Sequence, residues 1–401
     1  MARLLEHHAL GFFREEKIPV PRFQVVSTAK EASEAAAGLG GSVVIKALIP
    51  VGGRGKAGAI KMAKSPSEAI GQAEGLAGRT ILNFPVEELL VSETVNIARE
   101  FFVSITFDSM SRRPVLLFSA LGGVDVETIL DRDPAQLSQF PIKLSQGLGL
   151  SQARQVLDAA GLTEKTIEEG AELLCGLYRI FCRLDAETVE VNPLVLTQDQ
   201  RLLALSGVIV ADNQALFRHA ELEGMAQPDR TNGWRPLTAL EKDMRAIDAI
   251  DSGSAIRFNE FSDGDIAFMI TGGGAGLLAF DAITKLGGHP ATTFDITPGR
   301  VEEKMYRATV AILSRPGLKG FIAGGNITNF IPIDVKVRGV VRALKELDID
   351  ATKFPVVFRF AGPGVEAARE LASTVPGIQF YDAATSLEDA VARIVELTKS
   401  R

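Results

Sequence analysis

Cysteine is nearly absent from the 401 residues: only Cys175 and Cys182 occur. They lie seven positions apart in a helical pattern, two turns along one face, too far for a bridge in a straight helix. With no disulfide framework and no CxxC pair, both are expected as buried free thiols in a reducing, cytoplasmic setting. Long apolar runs are missing too. No stretch of 18 apolar residues is present, and Met1-Ala2-Arg3-Leu4-Leu5-Glu6-His7-His8 has no continuous apolar segment, so neither a membrane span nor a signal peptide is expected. Positive charge is not in excess either: 43 Lys and Arg stand against 50 Asp and Glu, a net charge of −7. Chains that track a nucleic-acid backbone or cling to a membrane surface are normally basic, so both classes are set aside. None of the four histidines, His7, His8, His219 and His289, has metal-ligand or triad spacing.

What is present is an ordinary globular composition, 46% apolar and 23% charged, which excludes disordered and collagen-like chains. At 42.9 kDa the chain exceeds what one core usually organises, so two domains are expected. The N-terminal half mixes elements without a regular rhythm. A helix is expected over 4–16, and the prolines of Ile18-Pro19-Val20-Pro21 keep that segment extended. Strands are expected over 42–48, 88–95, 100–108 and 113–120, with a helix over 163–184 and a strand pair over 188–197 and 201–210. Polar turn formers dominate 224–253, which marks the domain junction.

After the junction the rhythm is strict. Strands over 266–271, 291–296, 320–323, 355–360 and 378–381 alternate with helices over 277–286, 301–313, 333–347, 365–374 and 387–399. Strands this apolar, alternating with helices, predict a parallel sheet covered on both faces, with ligands outside the carboxyl ends of its strands.

Three groups of residues invite chemistry. Lys46 ends an apolar strand, and the loop 51–58 that follows holds four glycines. Glycines let backbone N–H groups approach an anion, and lysine adds a point charge, so a phosphate site and a plain surface hairpin both fit. Glu190 and Asn192 occupy alternate strand positions and face one side; such oxygen donors suit Mg²⁺ held with substrate phosphates, although taken alone the segment is better read as Glu190 paired with an arginine. The glycine runs at 272–276 and 324–325 sit at strand-to-helix transitions, where free N–H groups favour an anion, or simply make tight turns.

Together these pieces resemble the β-type subunit of succinyl-CoA synthetase and the matching half of ATP-citrate lyase. The resemblance covers nearly the whole chain. It rests on Ile18-Pro19-Val20-Pro21, on Lys46 with Gly52-Gly53-Arg54-Gly55-Lys56-Ala57-Gly58, and on Gly122-Gly123-Val124-Asp125-Val126-Glu127. Glu190-Val191-Asn192-Pro193-Leu194 and Ala215-Leu216-Phe217-Arg218 complete it. It implies an ATP-grasp domain over 1–224, a linker over 225–257 and a flavodoxin-like parallel-sheet CoA-ligase domain over 258–401. The implied activity is an ADP-forming acid–thiol ligase, with ATP and CoA as substrates. Lys46, Gly53, Arg54 and Gly55 would hold the nucleotide phosphates, Glu93, Thr94 and Val95 the adenine, and Glu100 the ribose. Asn192 would bind Mg²⁺, and Glu190 would face a phosphohistidine carried by an α-type partner that also holds most of the CoA site. Gly273, Gly274, Gly324, Gly325, Asn326, Asn329, Phe330 and Arg359 would take the carboxylic acid.

Two positions depart from the family. Ser206 stands where the family has an aspartate as second Mg²⁺ ligand, and a neutral hydroxyl is a poorer ligand for a hard dication. This departure favours the alternative of a non-catalytic or regulatory subunit. The loop Gly324-Gly325-Asn326-Ile327-Thr328-Asn329-Phe330 is similar to the citrate-binding loop of the lyase, yet Arg359-Phe360 replaces the lyase's two consecutive arginines. The expected acid is therefore a small di- or tricarboxylate, such as succinate or citrate.

Overall fold

The computed structural model describes residues 2–123, 136–225 and 235–399. Val124 to Glu127 of one family motif, and residues 226–234 of the polar stretch with Trp234 among them, lie outside the described residues. The chain forms two compact units, Met1–Pro236 and Leu237–Arg401.

The described residues of the first unit form two large antiparallel sheets and one two-stranded ribbon, Thr80–Ile81 with Phe84–Pro85. Strands β1 (Ala2–Arg3), β2 (Phe23–Val26), β3 (Val43–Ala47) and β4 (Ile60–Ala63) are followed by the two-residue β5 (Thr80–Ile81) and β6 (Phe84–Pro85). Next come β7 (Leu89–Glu93), β8 (Ile97–Asp108), β9 (Arg113–Ser119), β10 (Ser138–Pro141), β11 (Ala186–Thr197), β12 (Leu202–Ala204) and β13 (Gly207–Ala211). The smaller sheet has the order β2-β7-β3-β4 and packs on helices α2 (Ala29–Gly38) and α3 (Pro66–Glu74). Both helices are rich in alanine on the buried face, so they lie close to the sheet. Thr28 and Glu31 form a capping box that fixes where α2 begins.

The larger sheet has the order β1-β13-β11-β8-β9-β10, with β12 also on β11. Helices α1 (Glu6–Glu15), α4 (Leu150–Asp158) and α5 (Glu164–Arg183) share its core, where Phe101, Val103 and Ile105 alternate along β8. Cys175 of α5 is buried as expected; Cys182, in the last turn of that helix, is exposed instead. The strand expected over 201–210 is broken at Leu205 and Ser206 into β12 and β13. Leu205 N–H turns to the Pro193 carbonyl and Ala204 N–H to the Pro19 carbonyl, which takes this stretch out of a continuous ladder.

The second unit begins with α6 (Ala239–Asp248), so part of the stretch read as linker is helix. Thr238 and Glu241 make its capping box, a sequence signal that the polar turn formers around it obscured. Then follow β14 (Ile256–Glu260), β15 (Ile266–Thr271), α7 (Gly273–Lys285), β16 (Thr292–Ile296), α8 (Glu302–Leu313) and β17 (Gly320–Ile327). Helix α9 (Ile333–Glu346), β18 (Val356–Ala361), α10 (Val365–Ser373), β19 (Gln379–Tyr381) and α11 (Leu387–Lys399) complete the unit. A parallel sheet β15-β17-β18-β19 carries α7 and α11 on one face and α8, α9 and α10 on the other.

This sheet has four strands where five were expected. The strand over 292–296 pairs antiparallel with β14. Beside β15 the backbone pairing stops at Ala291, whose N–H donates to Ile266 C=O at 2.8 Å, and one side chain takes over: the Thr292 hydroxyl accepts from Phe268 N–H at 3.0 Å and donates to Phe268 C=O at 2.9 Å. Thr292 is fully buried, so no water can take over either bond. Thr292→Val is expected to lower the unfolding stability of the chain by about 1–3 kcal/mol in urea titration, with Thr292→Ser retaining most of it.

Candidate functional site

In the first unit a cavity of about 540 Å³ lies where the two sheets meet. Its lining includes Lys46, Gly53, Arg54, Gly55, Glu93, Thr94, Val95, Glu190, Asn192 and Ser206. Glu100 is not among the lining residues; its carboxylate packs against Gly123, which does line the cavity. Each wall has a local cause. Lys46 is the penultimate residue of β3, and Arg54 sits in the turn between β3 and β4. Glu190 and Asn192 share a face of β11, and the ladder to β8 shifts register between Val191 and Leu194, which releases Asn192 toward the cavity. Asn192 Oδ1 accepts the Gly123 N–H at 2.9 Å. The break between β12 and β13 turns Ser206 inward. Asp212, the nearest alternative carboxylate in sequence, instead caps a 3₁₀ turn by accepting Gln214 N–H.

Two lining cations converge on a residue that the sequence reading passed over. Glu6, in the first turn of α1, accepts from Lys46 Nζ at 2.7 Å and pairs with Arg54 through its other oxygen. Lys46 also donates to the Leu205 carbonyl at 2.8 Å, and Arg54 donates to Ser206 Oγ at 3.3 Å. Burial alone would push the Glu6 carboxyl up, but Arg54 and Lys46 outweigh it and hold the pKa at about 2. Arg3, a further lining residue, is drawn down by burial, while Glu190 opposes that shift and Arg54 adds to it. The arginine partner expected as one alternative for Glu190 is thus present electrostatically. Glu6 carried a legible signal: Ala9, Leu10 and Phe13 lie three, four and seven positions on, so a carboxylate at position 6 falls on the buried stripe.

The expected acid-binding residues gather separately, at the carboxyl ends of β15, β17 and β18. Gly272 caps α7 at φ 99°, and its N–H and that of Gly273 donate to the Asp295 carboxylate at 2.8 and 3.2 Å. The glycines expected in a loop before the helix are therefore its first turn, and an anion of the chain itself already occupies two of the N–H groups. Gly324 and Gly325 lie inside β17, which runs further than expected. A Cβ on Gly324 would stand 2.0 Å from the Arg359 carbonyl, so close strand approach, rather than room for a ligand, explains this glycine. Arg359 is buried and donates to Gly325 C=O at 2.9 Å, Asn326 C=O at 3.3 Å and Thr385 C=O at 3.1 Å. Asn326, Asn329 and Phe330 are exposed above it.

Residues 3–196 match the family described as ATP-grasp domain, and residues 235–397 the family described as ATP citrate lyase citrate-binding. The protein named succinate–CoA ligase (ADP-forming) subunit beta in Chloroflexus aurantiacus is 36% identical over 393 residues, covering 97% of this chain and 98% of that one. The GDP-forming subunit beta of Thermus thermophilus is 36% identical over 394 residues, 97% of each chain. The chain belongs to the succinate–CoA ligase β-subunit family. ATP citrate lyase from Methanothrix soehngenii, solved with citrate and coenzyme A, has the same fold at a TM-score of 0.78 and 19% identity over the whole of both chains.

Within this β-subunit framework the cavity is better equipped for phosphates than for a bare metal ion. Among the described residues no group of three His, Cys, Asp or Glu side chains is placed to hold a metal. Ser92, Glu93 and Thr94 line it at the end of β7, while around β11 and the break before β13 the lining offers the Glu190 carboxylate, the Asn192 amide oxygen and the Ser206 hydroxyl. That set fits Mg²⁺ arriving on nucleotide phosphates, since this ion keeps an octahedral shell of oxygens and few protein ligands. No helix among the described residues is long and apolar enough to cross a membrane.

Glu6→Gln should destabilise the chain by about 3 kcal/mol or more, because the buried Lys46 and the half-buried Arg54 lose their counter-ion. The sign with pH follows from the lowered pKa. Glu6 contributes fully above its ordinary pKa of 4.5, and its contribution is lost as pH falls toward about 2. Urea titrations across that window should show this loss in the natural chain and not in Glu6→Gln.

Proposed function

We propose that this chain is the nucleotide-binding β-type subunit of an ADP-forming carboxylate–CoA ligase that acts on a small di- or tricarboxylate. The convergence of Lys46, Arg54 and the Gly53–Gly55 turn with Glu190, Asn192 and Ser206 in one cavity carries the reading. Lys46 and Arg54 would bind the nucleotide phosphates, which share the two cations with Glu6. Glu93, Thr94 and Val95 would meet the adenine at the end of β7. Glu100 would contact the ribose.

Glu190 would orient a histidine of an α-type partner as that residue accepts the phosphoryl group. Phosphoryl transfer from ATP gives phosphohistidine and ADP. Attack by the acid's carboxylate then gives an acyl phosphate and restores the histidine. The CoA thiol finally displaces phosphate to form the thioester. Asn192, together with the phosphates, would hold Mg²⁺, which would supply charge neutralisation during transfer. The acid would bind at the ends of β15, β17 and β18, near Gly273, Gly274, Gly324, Gly325, Asn326, Asn329, Phe330 and Arg359. One free thiol, Cys182, is exposed, which suits a reducing compartment, and we place the enzyme in the cytoplasm.

One observation favours a second reading, a regulatory subunit with weakened metal binding. Ser206 offers only a hydroxyl, and that hydroxyl already accepts from Arg54. Calorimetry of ATP binding with and without Mg²⁺ decides between the two. The ligase reading expects Mg²⁺-dependent binding in the natural chain, lost in Lys46→Met and tightened by Ser206→Asp. Metal-indifferent binding that only Ser206→Asp makes Mg²⁺-dependent supports the regulatory reading. Asn329→Ala should raise the acid's KM in the assembled enzyme more than that of ATP; equal changes would remove the loop from the acid site.

A further inference from the structure

Two cations lie beneath the exposed ends of β15, β17 and β18 without a carboxylate bonded to either. Lys336 is 4% exposed, and its only hydrogen-bond partner among the described residues is the Thr271 hydroxyl at 3.1 Å. Arg359 is 6% exposed and meets only carbonyl oxygens. Among the described residues the carboxylate that acts on Lys336 electrostatically is Asp295, and its oxygens are engaged by the Gly272 and Gly273 N–H groups. Two positive charges and one negative charge leave an excess of one. A buried charge without compensation is costly, so such an arrangement is expected where a ligand supplies the missing sign.

The position of Lys336 follows from its helix. It lies in the second turn of α9, and helix side chains lean toward the N-terminus, here toward the carboxyl edge of the sheet. Its Thr271 partner donates in turn to Gly324 C=O at 3.1 Å, so the ammonium lies at the paired carboxyl ends of β15 and β17. At the start of α7, just after β15, a Cβ built on Gly273 or Gly274 meets nothing within 4 Å. Phe360 points to the face that α9 covers, as Lys336 does, and brings no charge to it. It alternates with Arg359 along β18 and packs with Phe358 and Phe380 in the core shared with α9, so Lys336 is the buried cation that α9 brings to that face.

We infer that Lys336 is a substrate-binding residue that recognises the non-reacting carboxylate of the acid, supplying a positive charge that position 360 does not. The inference rests on the ligase reading given above and assigns a residue within it. The non-reacting carboxylate is the appropriate partner because it keeps its charge throughout, whereas the reacting one becomes a neutral thioester. A cation buried in a fixed place matches a charge that persists. Burial lowers the Lys336 pKa and Asp295 raises it, so a bound carboxylate would further favour the charged form.

The test uses the full chain assembled with its α-type partner, with succinate, citrate, the mono-amide of whichever acid is used, and ATP as probes. ADP release by the unaltered complex identifies the acid; release with neither acid overturns the ligase reading and this inference together. With the active acid, Lys336→Met should raise its KM about tenfold or more and leave the KM for ATP within about twofold, while Lys336→Arg restores much of the loss. The unaltered complex should also take the mono-amide about tenfold less well than the parent acid, and Lys336→Met should erase most of that difference. Discrimination against the amide that survives in Lys336→Met, or an equal rise in both KM values, overturns the role of Lys336 and leaves the ligase reading standing. Should Lys336→Met fail to fold, the unaltered complex and Lys336→Arg still decide: an amide accepted as well as the acid overturns the inference.

Discussion

The buried carboxylate of Glu6 is the constraint on which the first unit depends. It comes from a helix on the larger sheet, Lys46 comes from the smaller sheet, and Arg54 comes from the turn that follows. Desolvating any one of these charges alone would cost several kcal/mol, so each is tolerated only because the other two are in place. The same contacts fix the cavity wall. Lys46 also reaches the Leu205 carbonyl and Arg54 the Ser206 hydroxyl, so the break between β12 and β13 is held by the groups that face the cavity. An anion placed there meets cations already oriented, with Glu6 as their resident counter-charge. Preorganisation of this kind lowers the cost of binding a phosphate, since little has to be ordered when it arrives.

The second unit handles charge differently. Its buried Lys304 is fully satisfied, by Asp248 and by two backbone carbonyls, and its role is packing α8 against the segment after α6. Lys336 and Arg359 have no such carboxylate, and both lie at the strand ends where parallel α/β sheets bind ligands. The contrast between a neutralised lysine in the body of the unit and under-compensated cations at its edge separates structure from recognition. Asp295 shows why the distinction needs coordinates. It fills the start of α7, which read alone as an open anion site, and so moves the uncompensated charge to Lys336.

Much of the architecture was legible because it follows from periodicity. The strict alternation after residue 260 located the elements of the parallel sheet, and the covered faces show in strands that are mostly apolar and buried at every position. The exception, the strand over 292–296, was misplaced for a local reason: one threonine hydroxyl substitutes for a ladder, and hydroxyls do not register in a hydrophobic pattern. The helix over 239–248 was missed because its capping box stood among turn formers. On the site, the residues from Lys46 to Ser206 that family resemblance singled out do share a cavity, apart from Glu100, whereas Glu6 and Arg3 were overlooked because they belong to no glycine-rich or strand motif.

By itself, the sequence determined the order of elements, the two-part organisation and the family, because these depend on local periodicity and on motifs read in order. Which charges are paired was decided only by the tertiary structure. Glu6 meets Lys46 across 40 positions, Lys336 meets Thr271 across 65, and Arg54 meets Ser206 across 152. Electrostatic energy depends on distance and burial in space, and neither is a function of separation along the chain.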